Sequence, residues 1–253
     1  MNGASPLLDP LLVTGGTGGL GRPTVEQLRA AGRKVRVLSR TEGPGHVLGN
    51  LDTGAGLDTA LDGAKVVLHL ATNRKNDTAA TAALLDAALK NGVEHVVYIS
   101  IVGVDKIPLA YYSSKLECER LIESSGIPHT TLRATQFHNF VSDFLVPQRR
   151  LPFLVAPAIP VQPIAIEEVA ARLIELSEGA PLGRVADIGG PERGSLPEFA
   201  RQWQTAHGTR KPTWSPRIPG KLVAAFMAGH HMTDLPGYGT QTFAEFARLQ
   251  ARS

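Results

Sequence analysis

Residues 11–21, LLVTGGTGGLG, constrain the fold more than any other stretch of the chain. A short apolar run, Leu11, Leu12 and Val13, leads into a loop with glycines at 15, 16, 18, 19 and 21, and the helical pattern Val25, Leu28, Ala31 follows. Strand, glycine-rich turn and helix start come in the order that a nucleotide diphosphate requires. Without Cβ atoms the loop turns tightly and its backbone approaches a pyrophosphate. The helix behind it directs free N–H groups, and the positive end of its dipole, at the anion. The spacing Gly15-x-x-Gly18-x-x-Gly21, with Thr17, Gly19 and Leu20 between, therefore predicts a dinucleotide site in its proper context.

The segments that follow alternate between strand and helix. Strands are expected at 11–14, 34–39, 64–71, 93–100 and 128–134, with a short one near 46–48. Helices are expected at 23–31, 57–61, 77–91 and 111–125. This alternation predicts an α/β fold with a doubly wound parallel sheet, right-handed crossovers and a ligand beyond the carboxyl ends of the strands. After residue 135 the texture changes, with prolines at 147, 152, 157, 160 and 163 in a mostly irregular apolar segment. Helices are expected again at 167–176, 196–206, 221–228 and 242–249, with a late strand at 184–188. The division is a dinucleotide-binding core over 1–135. Residues 136–253 then hold the remaining core strand, interleaved with a small C-terminal substrate-binding cap.

Composition narrows the class. The 253 residues are 43% hydrophobic with a net charge of +3, enough apolar matter for one large core. The basic excess is spread out, its densest run being Arg149–Arg150, and no nucleic-acid-reading module is present. The lone Cys118 cannot form an internal disulfide and suits a reducing cytoplasm. No run of about 18–20 apolar residues marks a membrane span, and MNGASPLLDP lacks the basic start of a signal peptide. The expected partner is a small molecule, with the chain a monomer or homodimer.

The end of the second strand selects the cofactor. NAD sites carry an acidic residue about 20 positions past the loop to bind the adenosine ribose. Here the sequence is Val37-Leu38-Ser39-Arg40, with no carboxylate until Glu42. A carboxylate repels a 2′-phosphate, whereas Arg40 offers a planar cation and Ser39 a hydroxyl. NADP(H) is the expected cofactor, and Arg22 is a second phosphate candidate. Residues 111–115 read YYSSK, and Tyr111 and Lys115 share one face of a helix. A nearby ammonium favours the phenolate, so Tyr111 can pass a proton to a carbonyl oxygen while hydride arrives from a nicotinamide. Tyr112 is the alternative if the helix is rotated.

On TGGTGGLG at 14–21, HLAT at 69–72, VVYIS at 96–100, YYSSK at 111–115 and LRATQFHNF at 132–140, the chain resembles the short-chain dehydrogenase/reductase superfamily. SGIPHTTLRATQF at 125–137 and PIAIEEVA at 163–170 resemble its atypical, NmrA-like members. The resemblance implies a Rossmann-type core. It puts Gly15, Gly18 and Gly21 on the pyrophosphate, Ala71 and Thr72 on the adenosine side, and Asn50 near the adenine. Tyr111 becomes the acid/base, with Lys115 its partner and ribose contact. Ala134, Thr135 and Phe137 approach the nicotinamide. It also implies a Ser or Thr just past the fifth strand, for which Ser100 is the candidate, although the register against epimerase-like members puts Ile101 there.

Beyond the resemblance, His138 is a candidate substrate contact or a hydrogen-bonded strand-end histidine. His230–His231 lacks the acidic or thiol companions of a metal site, so no metal is expected. Cys118 is expected to be a buried thiol. Phe153, Trp214, Phe226 and Met227 are expected as core before pocket wall, and as pocket wall they suit an apolar substrate. The expected activity is NADPH-dependent reduction of a carbonyl, enone or quinone. The alternatives are a non-catalytic NAD(P) sensor of NmrA type and, with little room for a sugar nucleotide, an epimerase or dehydratase.

Overall fold

The computed structural model describes residues 10–252. The segment judged above for a signal peptide lies almost wholly outside them. The backbone divides into two compact units, each drawn from separate stretches of chain. Among the described residues, one comprises 10–100, 113–132 and 169–186, the other 101–112, 133–168 and 187–252.

The first unit is built on a seven-stranded sheet. Its strands are β1 (Leu11–Thr14), β2 (Val35–Ser39), β3 (His46–Leu48), β4 (Val66–His69), β5 (His95–Ile101), β6 (His129–Ala134) and an edge strand at Gly183–Arg184. The order is β3-β2-β1-β4-β5-β6-edge. β1 pairs in parallel with β2 on one side (Leu11↔Val35) and with β4 on the other (Thr14↔His69). All four residues of β1 are buried, as expected of a parallel strand covered on both faces. Strand order reverses on either side of β1, so the crevice for a ligand opens between the carboxyl ends of β1 and β4.

Helices α1 (Gly21–Ala30), α2 (Leu57–Leu61), α3 (Asp77–Lys90) and α4 (Ala110–Ser124) connect these strands. α3 buries Ala80, Thr81, Leu84, Leu85 and Ala88, the three-and-four spacing of one helical face. Leu84, Leu85 and Ala88 join Leu12, Val67, Val96, Tyr98, Cys118 and Ile122 in one continuous core. Each large aliphatic side chain there contributes about 1.5–3 kcal/mol by leaving water. Arg36 spans the sheet edge to donate to the carbonyls of Ala60 and Asp62, closing the end of α2.

The second unit has its own core. α5 (His138–Leu145) continues into a 3-10 turn at Val146–Arg150. β7 (Leu154–Val155) and β8 (Pro160–Val161) follow, while helix α6 (Ile166–Glu178), from Val169 on, and β9, the edge strand at Gly183–Arg184, belong to the first unit. The chain ends through β10 (Gly194–Ser195), α7 (Leu196–Ala206), β11 (Thr213–Trp214), α8 (Lys221–Met227) and α9 (Phe243–Gln250). Val141, Leu145, Leu154, Phe199, Trp203, Phe243 and Ala247 form the core. α7 and α9 begin with capping boxes, Ser195 with Glu198 and Thr242 with Glu245.

The sequence reading places most elements within two residues, including the short β3, but misses α5. Val141 and Leu145 face inward while Phe140 and Phe144 face outward, so apolar residues lie on both sides of the helix and mask its period. The expectation of core positions for Phe153, Trp214 and Met227 is overturned, since they are 40%, 59% and 51% exposed. Phe153 and Trp214 meet edge to face at 6.5 Å beside the two-residue pairing of β7 with β11, too short a ladder to cover them. No helix among the described residues is long and apolar enough to cross a membrane.

Two histidines stay neutral inside the first unit. Burial holds His69 at about 3, and burial with a smaller contribution from His129 holds His95 at about 4, against an ordinary 6.5. Above 6.5 both are neutral whether the chain is folded or not, and the stability linked to them is complete. As pH falls, the unfolded chain takes up protons that the folded chain refuses, and that stability is lost progressively from about 6.5 towards 4 and 3. Urea midpoints are expected to fall over this window. His95→Gln, which keeps a polar partner for Thr130, should flatten part of the slope. A slope unchanged in that variant would show that His95 is not neutral in the native state.

Candidate active site

The cofactor cradle is formed where β1 runs into α1. Gly15 has φ +70°, and a Cβ there would lie 2.6 Å from the amide nitrogen of Ala71 at the exit of β4. At Gly21, the first residue of α1, a Cβ would fall 2.0 Å from the Gly15 carbonyl oxygen. The loop is thus closed against itself and against β4 with no room for side chains. Gly18 N–H donates to Gly15 O at 2.9 Å and Arg22 N–H to Gly18 O at 3.0 Å. Gly19, by contrast, meets nothing within 4 Å.

Among the described residues, α1 has neither an acidic side chain in its first turn nor a side-chain cap. Its dipole therefore faces the cradle with no carboxylate beside it, an arrangement that fits a pyrophosphate.

The other cofactor candidates of the first unit lie at the carboxyl ends of neighbouring strands. Ser39 is buried and accepts from the Thr41 amide at 3.1 Å, and Arg40 is exposed. Arg22 is committed in part, its Nε donating to Thr17 O at 2.9 Å. Asn50 accepts from the Asp52 amide at 2.9 Å, and Thr72 donates to Asp77 Oδ2 at 2.5 Å. Asp77 also accepts from the amides of Asn73 (2.7 Å) and Arg74 (3.2 Å). Arg74 adopts a left-handed φ of 62°. Asp52 in turn accepts from the side chains of Asn73 and Asn76. This wiring orders the loops at 50–52 and 72–77. Sequence reasoning missed Asp52 and Asp77, although an Asp opening a helix after an Asn-rich loop is the signal that would have found the second.

Lys115 is 3% exposed. Its ammonium donates to the Ile99 carbonyl at 3.2 Å and lies 4.7 Å from the centre of the Tyr98 ring. Burial holds it below the ordinary lysine value, opposed by the field of Asp77. Ser100, next to that carbonyl, is buried, and its hydroxyl has no hydrogen-bond partner among the described residues.

In the second unit Tyr111 is half-buried and meets Tyr112 edge to face at 6.3 Å. Burial, with Tyr111 beside it, pushes the Tyr112 phenol up to about 12. Thr135 donates to Gln162 O at 2.5 Å, and its amide donates to Ile188 O at 3.0 Å. Ala134 pairs with Ile188, and Phe137 with Ile164. His138 is buried at the start of α5, its Nε2 3.1 Å from the Gln241 carbonyl, and burial holds it below the ordinary histidine value. Cys118 is fully buried, and among the described residues no three His, Cys, Asp or Glu side chains are grouped to hold a metal ion.

Comparison with known proteins follows this geometry. A family model described as NAD(P)H-binding matches residues 15–144. The Photosystem II assembly factor Ycf39 of Trieres chinensis is 30% identical over 57% of this chain and 52% of its own length. A (4-alkanoyl-5-oxo-2,5-dihydrofuran-3-yl)methyl phosphate reductase of Streptomyces griseus is 30% identical over 72% of this chain and 68% of its own. The chain spans about half the length of the first curated relatives it matches. An Escherichia coli NADPH-dependent quinone oxidoreductase, crystallised with NADPH, superposes with a TM-score of 0.81 at 19% identity, covering 95% of this chain and 99% of that one.

Two alanine variants separate fold from cradle. Gly21→Ala forces its Cβ into the Gly15 carbonyl and is expected to cost about 1–3 kcal/mol of stability along with dinucleotide binding. Gly19→Ala meets open space, so it should melt like the wild type and still bind NADPH at least tenfold more weakly, a loss of about 1.4 kcal/mol. Unimpaired NADPH binding by Gly19→Ala in a fluorescence titration would rule out this loop as the cradle.

Proposed function

The chain belongs to the NAD(P)H-binding family, and on that premise we propose that it is an NADPH-dependent reductase of an apolar small molecule bearing a carbonyl, enone or quinone. The observation that carries this reading is the buried Lys115 ammonium, one helical turn beyond a half-buried Tyr111 on α4. A cation kept out of water without a directly bonded carboxylate is costly, and such costs are retained where the charge serves chemistry. The likeness to reductases and to a quinone oxidoreductase supports the same class. The exposed Phe153–Trp214 pair supports an apolar substrate.

Bound at the cradle, the nicotinamide supplies a hydride to the substrate carbon. Gly15, Gly18, Gly19 and Gly21 hold the pyrophosphate, with Arg40 and Ser39 at the 2′-phosphate and Lys115 at the nicotinamide ribose. Tyr111 donates its phenolic proton to the substrate oxygen, and the Lys115 charge favours the phenolate left behind. Ser100 is the hydroxyl available to polarise that oxygen.

A second reading is a non-catalytic dinucleotide-binding regulator. Its support is the 30% identity to an assembly factor.

Purified protein mixed with NADPH and a panel of quinones, enones and ketones is expected to consume the nicotinamide absorbance. Tyr111→Phe should lower kcat by about 10²–10⁴. Tight NADPH binding with no turnover on any member of the panel would favour the regulator. Turnover untouched by Tyr111→Phe would remove Tyr111 as donor. Arg40→Ala should weaken NADPH about tenfold or more and NADH hardly at all. Equal effects would overturn the 2′-phosphate assignment.

A further inference from the structure

A line of hydrogen bonds runs through the first unit from the cradle to the helix that carries Lys115. The Ala71 amide donates to Thr14 Oγ1 at 3.3 Å. Thr14 Oγ1 lies 2.7 Å from His69 Nδ1, and His69 Nε2 lies 3.0 Å from Thr81 Oγ1. The Thr81 hydroxyl donates to Cys118 Sγ at 3.3 Å. The side chains of Thr14, His69, Thr81 and Cys118 are all buried, so their donors and acceptors must match.

One direction satisfies every hydroxyl. Thr81 spends its proton on Cys118, so its oxygen receives the Nε2–H of His69. His69 Nδ1 is then bare and takes the Thr14 hydroxyl proton, while the Thr14 oxygen accepts from Ala71. The reverse direction leaves the Thr14 proton without an acceptor. His69 is therefore the neutral Nε2–H tautomer.

The two ends of this line both matter to the site. Thr14 precedes Gly15, and Ala71 is the residue against which Gly15 is packed. Cys118 lies one turn past Lys115 on the same face of α4. The His69 ring also stacks on Tyr98 at 5.3 Å, and Tyr98 is the ring beside the Lys115 ammonium.

We propose that His69 is a positioning residue: as a directional link between Thr14 and Thr81 it sets the Lys115 helix against the dinucleotide loop. The ring does not touch the reacting atoms. It holds the distance between the pyrophosphate cradle and the cation assigned to the nicotinamide ribose. This inference rests on the cofactor reading above, but its first measurement does not.

That measurement is the imidazole ¹⁵N spectrum of the full-length protein. His69 is expected as one neutral Nε2–H tautomer between about pH 5 and 8, and a protonated ring or an Nδ1–H tautomer overturns the link whether or not NADPH binds. The second uses Thr81→Val, nearly isosteric and far from any solvent-facing position. Losing one buried hydrogen-bond partner, it should weaken NADPH about tenfold. It should leave adenosine 2′,5′-bisphosphate, which lacks the nicotinamide half, bound as in the wild type. His69→Gln, which keeps one amide donor, should lie between the two. A loss shared equally by NADPH and the fragment, or no loss of either, overturns the positioning role. If the wild type binds neither, the cofactor reading fails, and with it the positioning of Lys115 for a nicotinamide.

Discussion

The contact on which the rest depends is backbone on backbone: Gly21 against the Gly15 carbonyl, and Gly15 against the amide of Ala71. No side chain fits at either place, so the loop leaves β1, folds beneath the start of α1 and rests on the exit of β4. The parallel register Thr14↔His69 puts those two exits side by side. The crevice at the switch point is thereby floored by amides rather than side chains. Such a floor recognises an anion through fixed dipoles that need no reorganisation when the ligand arrives.

A second constraint is that the carboxylates near Lys115 act on its ammonium through their fields, Asp77 first and Glu119 after it. Asp77 contributes to the field at the ammonium, yet its two oxygens are bonded to the Thr72 hydroxyl and the amides of Asn73 and Arg74. One carboxylate thus orders the loop after β4 and also stabilises a cation it does not touch. The ammonium relies for direct contacts on a carbonyl and a ring face, which leave it positive without neutralising it. A lysine salt-bridged at close range would be more stable and less available.

The sheet is legible because parallel strands announce themselves as apolar runs such as LLVT and VVLH. The cradle was legible for a related reason: glycine spacing encodes a backbone shape directly. What stayed hidden depends on contacts between distant positions. His69 sits inside a recognised HLAT string, but its partners Thr14 and Thr81 are 55 and 12 residues away, and nothing local marks them. α5 was lost because Phe140 and Phe144 are apolar on its outer face. Phe153 and Trp214 were taken for core because hydropathy alone cannot tell a side chain that must be buried from one left available.

On the proposed reaction, the burial of the two adjacent tyrosines favours one of the alternatives that the string YYSSK leaves open. Neighbours on a helix point about 100° apart, so they cannot both serve the same reacting atom. Tyr112 is the buried one, and the same burial that makes it a good packing residue drives its phenol up to about 12. A proton donor works best with a pKa near the operating pH, and Tyr112 has been moved the wrong way. Tyr111 is only half-buried and stands four residues before Lys115 on α4. On the proposed reaction the pair divides its labour: Tyr112 fixes the rotation of the helix by packing, and that rotation selects Tyr111 for the proton.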